Sequence, residues 1–239
     1  MSPVRNTSRW ECLSISEPAV AQSALAACAQ TAAWQAALAA EPPVANADEA
    51  LQRLIEGNQR YVANKAIRPN QTESRRVEVA KGQYPFASIL GCADSRVPSE
   101  IIFDRGLGDL FIIRTAGQVL DDAVMGSIEF GAKVLGIPLI LVLGHERCGA
   151  VDATIGALQK HAEVEGSIGA LVEGIKPAVE KAKEQPGDLL DNAVRANVEL
   201  GVVNLKKSPV LAKLLRENKL KIVGGHYDLD TGAVDFMVF

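Results

Sequence analysis

The sequence predicts an α/β fold in which helices flank a central, mostly parallel β-sheet. Short apolar segments alternate with longer segments of helical spacing, which is typical of a parallel sheet with helical crossovers. Residues 138–143 are continuously apolar after the first proline, as in a strand that is covered on both faces. Near the C-terminus, Asp230-Thr-Gly232 separates the apolar segments 220–223 and 233–238, and predicts an antiparallel hairpin at one edge of the sheet.

The compact domain is predicted to begin with a helix close to residue 46. Asn46 or Asp48 can cap this helix, since both side chains accept hydrogen bonds from free backbone N–H groups. Leu51 and Leu54 follow helical spacing, although Asn58 places a polar residue in the same stripe. We therefore expect one face of this helix to be buried.

The elements after this helix follow from alternating apolar patterns. Residues 67–80 are polar and are predicted to form a loop. Val124, Ile128 and Ala132 give a helical stripe between two predicted strands. The predicted strands are 86–91, 110–113 and 138–143, and the remaining predicted helices are 148–158, 168–184, 188–206 and 209–217.

Residues 1–45 differ from the rest of the chain and are predicted to form an N-terminal helical arm or a degenerate leader. The segment around Ala19–Ala40 is rich in alanine and low in charge, and Glu41-Pro-Pro43 ends it. A leader would need a basic start and small residues at a cleavage site, but acidic residues interrupt this pattern. We expect residues 46–239 to form a single domain in a cytoplasmic protein, with export to the periplasm or cell envelope through residues 1–40 as the alternative.

Composition excludes several classes of protein. The chain has 239 residues, of which 48% are hydrophobic, and this is enough for a sizeable core. A formal net charge of −4 argues against nucleic acid as a partner. No run of about 18 apolar residues occurs, so no transmembrane segment is expected. Four cysteines are too few for a disulfide scaffold at this length.

Two short blocks carry the chemistry of the sequence. Cys92 begins one block directly after a predicted strand, and His145 and Cys148 lie in the other, which follows the next strand of the same kind. Parallel strands end at the same edge of a sheet, where α/β proteins bind their ligands. Thiolates and imidazole bind zinc, and three protein ligands leave a fourth position for water. The pattern predicts a catalytic zinc site on these three residues, one Zn²⁺ per chain.

Two further residues of the first block, Asp94 and Arg96, can assist the metal. An arginine can hold a carboxylate with two parallel hydrogen bonds. Held in this way, Asp94 would stay ionised and accept a hydrogen bond from zinc-bound hydroxide, which it would orient. If Arg96 released it, Asp94 could become a fourth zinc ligand in a closed state.

Other interpretations of the same residues remain open. A structural zinc site, or no metal at all, would also accommodate the cysteines and the histidine. Cys12 and Cys28 lie in the arm and are not expected to be ligands. His161 and His226 are interpreted as surface or packing residues, and neither is assigned as a proton shuttle.

Three segments together resemble the signature blocks of the β-class carbonic anhydrases. They are Cys92-Ala-Asp-Ser-Arg-Val-Pro98, Gly108-Asp-Leu-Phe-Ile-Ile-Arg-Thr-Ala-Gly117 and Gly144-His-Glu-Arg-Cys-Gly-Ala150. The resemblance extends over residues 48–238. It implies zinc on Cys92, His145 and Cys148, with Asp94 and Arg96 as the gating pair. It also implies reversible hydration of carbon dioxide to bicarbonate and a proton, in a homodimer or a higher assembly of dimers.

The resemblance further implies a substrate pocket. Gln83 matches a family glutamine upstream of the first cysteine, and Phe111 matches an apolar aromatic residue. Phe130 stands where a tyrosine is common, so this chain lacks a hydroxyl there. Members that bicarbonate closes carry tryptophan in place of the glutamine, so Gln83 favours the open, non-allosteric kind.

Two alternative functions use the same zinc residues. The first is a hydrolase of carbonyl sulfide or carbon disulfide, which are also linear electrophiles. The second is a bicarbonate sensor that binds zinc without turnover. The intact pair of Asp94 and Arg96 argues against the sensor, which would not need an oriented hydroxide.

Overall fold

The computed structural model describes residues 44–237. Within them, five strands form one sheet in the order β2-β1-β3-β4-β5. The strands are β1 (Ala87–Cys92), β2 (Leu110–Thr115), β3 (Leu139–His145), β4 (Lys221–Tyr227) and β5 (Val234–Met237). All neighbours are parallel except β4 and β5, which form the antiparallel edge. The predicted fold class is confirmed, whereas the arm predicted for residues 1–45 lies almost wholly outside the described residues.

Helices cover both faces of the sheet. They are α1 (Ala47–Val62), α2 (Glu73–Val79), α3 (Ser99–Ile102), α4 (Asp122–Lys133), α5 (Gly149–Lys160), α6 (Ile168–Ala182), α7 (Leu189–Lys207) and α8 (Pro209–Arg216), with a 3₁₀ turn at Ala116–Gln118. The side chain of Asn46 caps α1 by accepting hydrogen bonds from the N–H groups of Asp48 and Glu49, both 3.0 Å long. The helices after β3 begin and end within two residues of their predicted positions.

The loop predicted for residues 67–80 is wrong in its second half, where α2 forms. The side chain of Thr72 caps this helix by accepting a hydrogen bond of 3.1 Å from the N–H of Arg75. None of the residues of α2 is buried, so the sequence carries no apolar stripe that could indicate a helix. The short helix α3 was also not predicted, because four residues are too few to show a period.

Each face of the sheet has its own core. On one face, Leu54 of α1 packs with Ile89 and Leu141, and all three side chains are fully buried. On the other face, α7 supplies Val198 and Val202, which pack with alternate residues of β1, β3 and β4. The continuous burial of β3 follows from this double cover, as its apolar run predicted.

Asn58 explains the polar position in the stripe of α1. Its buried amide donates hydrogen bonds to the carbonyls of Ile102 (3.2 Å) and Gly232 (2.8 Å), and its oxygen accepts one from the N–H of Val234 (2.9 Å). The side chain therefore fastens α1 to the turn between β4 and β5.

The close approach of α7 to the end of β3 positions the residues that follow. A Cβ atom at Gly144 would lie 2.5 Å from Cγ2 of Val198, so only glycine fits there. The amide of Asn197 donates a hydrogen bond of 2.8 Å to the carbonyl of Gly117, which fixes the turn after β2. No helix of the described residues is long and apolar enough to cross a membrane.

Candidate metal centre

The structure brings the three predicted zinc ligands together at the carboxyl ends of the strands. Cys92 is the last residue of β1, His145 is the last residue of β3, and Cys148 precedes the first residue of α5. One donor atom from each lies within 4.8 Å of the others. The two sulfurs are 3.9 Å apart, and a tetrahedral zinc with Zn–S bonds of about 2.3 Å would separate them by about 3.8 Å. The donor set therefore fits zinc.

His145 presents a free nitrogen to this site. Its Nδ1 lies 2.8 Å from the carbonyl oxygen of Glu146, which can only accept, so Nδ1 carries the proton. Its Nε2 is buried and has no hydrogen-bond partner among residues 44–237. A buried ring nitrogen with a free lone pair is costly unless it binds something, and a metal ion beside both sulfurs satisfies it.

The two cysteine thiols shift each other's pKa in opposite directions. A hydrogen bond from the Cys148 thiol lowers the pKa of Cys92 to about 4, with burial opposing this effect. The same hydrogen bond, together with burial, raises the pKa of Cys148. The backbone N–H of Gly117 also donates to the sulfur of Cys92, at 3.3 Å. A divalent cation would replace the shared proton and allow both sulfurs to bind as thiolates.

Asp94 and Arg96 form the pair that the sequence predicted. Nε and Nη2 of Arg96 donate hydrogen bonds of 2.9 and 2.8 Å to the two carboxylate oxygens of Asp94, and the backbone N–H of Arg96 donates a third of 2.9 Å. These bonds hold the pKa of Asp94 well below its usual range. Oδ2 of Asp94 lies 3.8 Å from Nε2 of His145, so the carboxylate borders the metal position.

Arg114 borders the site, and its position in the sequence predicted no role for it. Its guanidinium donates hydrogen bonds to the backbone carbonyls of Cys92 (2.8 Å) and Asp94 (2.6 Å), so it holds the loop that carries both side chains. The available signal was a single charged residue at the end of the otherwise apolar strand β2. His161 is exposed and follows the last residue of α5, His226 is buried beside Asp191, and neither is among the donors of the site.

The three predicted substrate residues lie at the opposite edge of the sheet. Gln83 is exposed and precedes β1, and Phe111 is the second residue of β2, beside Ser88 at the start of β1. Phe130 is 46% exposed near the end of α4, next to Gly131, which lies close to both Ser88 and Phe111. The four residue steps from Ser88 to Cys92 span about 13 Å. One chain therefore does not bring these side chains to the metal site.

Comparison with known proteins identifies the family. A sequence model described as carbonic anhydrase matches residues 87–234. Carbonic anhydrase 2 of Mycobacterium tuberculosis is 42% identical over 191 residues, which cover 80% of this chain and 92% of that protein. The carbonic anhydrase of Mycolicibacterium smegmatis is 40% identical over 194 residues, or 81% of this chain and 94% of that protein. The chain belongs to the β-class carbonic anhydrase family.

Solved structures of β-carbonic anhydrases share the fold of this family member. The enzyme of Coccomyxa, determined in complex with acetazolamide, superimposes with a TM-score of 0.60 at 28% identity, over 77% of this chain and 85% of that one. A structure from a study of two tetrameric β-carbonic anhydrases of Sordaria macrospora gives a TM-score of 0.61 at 21% identity, over 78% of this chain and 95% of that one. This β-carbonic anhydrase is therefore an enzyme of known fold with a cysteine, histidine and cysteine group able to bind a metal.

Proposed function

We propose that this enzyme hydrates carbon dioxide reversibly to bicarbonate and a proton, with zinc on Cys92, His145 and Cys148. The observation that carries the proposal is a buried set of three donors with an ionised carboxylate 3.8 Å from one of them. A structural zinc site would need a fourth protein ligand, whereas Asp94 is held aside by Arg96.

Zinc held by these residues would act as a Lewis acid and supply a hydroxide nucleophile near neutral pH. The two thiolates would reduce the positive charge on the cation and make its bound water less acidic. The residues around the metal must therefore assist by orienting the reacting groups. Asp94 can only accept hydrogen bonds when ionised. It would therefore accept a hydrogen bond from the attacking oxygen and direct a lone pair of that oxygen toward the carbon of the substrate.

Arg96 keeps this carboxylate in place. Its bidentate contact fixes the plane of the Asp94 carboxylate as well as its charge. Positioning of this kind lowers the activation barrier, because the reacting groups are already aligned before reaction. Release of the pair would let Asp94 reach the fourth position on the metal and block it.

The substrate pocket is proposed to form between two copies of the chain. Gln83, Phe111 and Phe130 lie at the edge remote from the metal donors of their own chain, and Gln83 and Phe130 are exposed. A second copy that places this edge over the metal centre would supply an amide to bind a substrate oxygen and two aromatic rings to line the cleft. The solved relative from Sordaria macrospora, described as tetrameric, is consistent with assembly of this kind.

Stopped-flow measurement of carbon dioxide hydration, with zinc stoichiometry on the same sample, tests the proposal. We expect one zinc per chain and activity that a strong chelator abolishes and zinc restores. Full activity in a zinc-free preparation would contradict it. Parallel assays with carbonyl sulfide and carbon disulfide distinguish the hydrolase, and bicarbonate binding without turnover would indicate the sensor.

A further inference from the structure

A second ion pair, between Arg147 and Asp230, is connected to the pair of Asp94 and Arg96. Residues 145–148, which begin and end with the proposed metal ligands His145 and Cys148, are here named the ligand loop. Within it, Arg147 has a φ of +49°, a left-handed backbone conformation that residues other than glycine rarely adopt. Its carbonyl accepts a hydrogen bond of 3.2 Å from Nη2 of Arg96, the same nitrogen that donates to Asp94 at 2.8 Å.

The side chain of Arg147 is held by the turn between β4 and β5. This turn, residues 228–232, is here named the hairpin turn. Nη1 and Nη2 of Arg147 donate hydrogen bonds of 3.0 and 2.8 Å to the two carboxylate oxygens of Asp230. The neighbouring Glu146 reaches the same turn, because its Oε2 accepts a hydrogen bond of 3.2 Å from the N–H of Leu229.

The hairpin turn is itself fixed. The carboxylate of Asp228 accepts hydrogen bonds of 2.8 Å from the N–H groups of Asp230 and Thr231. The buried amide of Asn58 holds the carbonyl of Gly232 from α1. A flexible partner would give Arg147 no fixed position, but this turn is fastened to the core of the domain.

We propose that Arg147 and Asp230 are positioning residues for the gating arginine. By fastening the ligand loop to the hairpin turn, they hold the Arg147 carbonyl where it orients the guanidinium of Arg96, and hence the carboxylate of Asp94. The inference rests on the proposed function, since the orientation of Asp94 matters only if it acts on the nucleophile. Neither residue touches the substrate, and both act through Arg96.

The test compares two ion pairs of the same hairpin. Asp230→Asn removes the charge of the proposed positioning pair with almost no change in shape. Asp235→Asn is the matched control, because Asp235 lies on β5 and its ion-pair partner, at 2.9 Å, is Arg195 on α7 and not a residue of the ligand loop. Both carboxylates are more than half exposed, so both variants are expected to fold.

We expect Asp230→Asn to lower kcat/KM about fivefold, which is what the loss of an exposed ion pair can produce, with zinc content unchanged. Hydrogen exchange in a peptide covering residues 143–150 should become faster in this variant and stay unchanged in Asp235→Asn. Arg147→Lys, which keeps the charge and loses the bidentate contact, should resemble Asp230→Asn. The double variant Arg147→Ala, Asp230→Asn should be no slower than Arg147→Ala alone, because the two residues act as one unit.

Equal rates and equal exchange in Asp230→Asn and Asp235→Asn would overturn the inference, as would additive losses in the double variant. An inactive wild-type enzyme with bound zinc would instead contradict the proposed function. In that case the exchange measurement still decides whether Asp230 holds the ligand loop.

Discussion

The two ends of the sheet differ in whether one chain alone assembles the residues of a site there. At the carboxyl-end edge, formed by the residues that follow β1 and β3, the donors Cys92, His145 and Cys148 converge and have defined partners. At the amino-end edge, where β1 and β2 begin, Phe130 and Tyr84 are exposed by 46% and 88%. A cleft of about 1060 Å³ opens there, lined in part by Tyr84 and Lys133.

The difference indicates which functions one chain can perform alone. The carboxyl-end edge is preorganised to bind a metal, because backbone and side-chain hydrogen bonds fix each donor before the metal arrives. The amino-end edge carries the residues implied for substrate binding but no metal donors. We therefore expect metal binding to be a property of the single chain and efficient turnover to be a property of the assembly.

Loss of a metal ligand should have the largest effect. Cys148→Ser replaces a thiol by a hydroxyl that does not ionise near neutral pH, so zinc affinity should fall on the order of 100-fold or more and hydration should be lost. Zinc analysis and stopped-flow rates on the same sample measure both. Cys28→Ser, at a cysteine outside the described residues that is not expected to be a ligand, is the matched control and should keep one zinc per chain. Zinc retained in Cys148→Ser would exclude this sulfur as a ligand.

Loss of Arg96 should leave the metal ligands intact and disturb only the orientation of Asp94. Arg96→Ala should keep one zinc per chain but lower kcat/KM roughly 100-fold, since a misplaced reactive group costs about that much. Arg76→Ala removes another exposed arginine, which binds Glu73 at 3.5 Å, and should leave the rate unchanged. Wild-type turnover in Arg96→Ala would contradict the role given to the ion pair.

Mixing two defective variants tests whether one active site combines the two edges of different chains. Gln83→Ala alone should lower kcat/KM about tenfold, the effect of losing one hydrogen bond, with normal zinc content. Mixed in equal amounts with Cys148→Ser chains, it should recover about a quarter of the wild-type sites, because half of the dimers contain one complete site.

A mixture of Cys92→Ser and Cys148→Ser chains is the control for this experiment. It should recover nothing, since both defects lie at the same edge and no mixed dimer holds an intact set of ligands. Recovery equal to that of the first mixture would show that the pairing of edges proposed here is wrong.

The smallest effect on activity should come from a buried ion pair between α1 and the loop after α3. Asp104 is buried, receives a hydrogen bond of 2.6 Å from Nε of Arg60, and also accepts hydrogen bonds from the N–H groups of Ile67 and Arg68. Burial alone would raise the pKa of Asp104, but these contacts outweigh it and the pKa is lowered. Asp104→Asn should lower the free energy of unfolding by about 3 kcal/mol at pH 7, because one partner of a buried pair is lost.

The pH dependence of this variant follows from the sign of the shift. A carboxylate with a lowered pKa in the folded state stabilises above its unfolded value of about 3.9 and loses that contribution as the pH falls further. The difference in stability between wild type and Asp104→Asn, from denaturant unfolding, should therefore shrink below pH 4. Glu199→Gln, at an exposed ion pair with Lys181, should change stability by less than about 0.5 kcal/mol at any pH. A stability difference that is the same at pH 3 and pH 7 would exclude this electrostatic origin.

Much of the site could be predicted because its residues directly follow apolar strands or lie close together in the sequence. Cys92 and His145 end apolar strands, and parallel strands end at one edge, so their convergence follows from the class of fold. The pairing of Asp94 with Arg96 also spans only two positions. By contrast, Arg114 donates hydrogen bonds to distant backbone carbonyls. Arg147 accepts one from Arg96 at its own carbonyl and binds the distant Asp230 with its side chain, and none of these contacts leaves a period or spacing in the sequence.

The sequence by itself determined the alternation of strands and helices, the three candidate metal donors and the ion pair of Asp94 with Arg96, because each depends on periodicity or on the chemistry of a short segment. Only the tertiary structure decided that Gln83, Phe111 and Phe130 lie at the edge remote from those donors, and that Asn58 and Asp230 brace the ligand loop through the hairpin turn. The physical reason is that strand direction and long-range hydrogen bonds decide which residues meet, and a linear pattern of residues records neither of them.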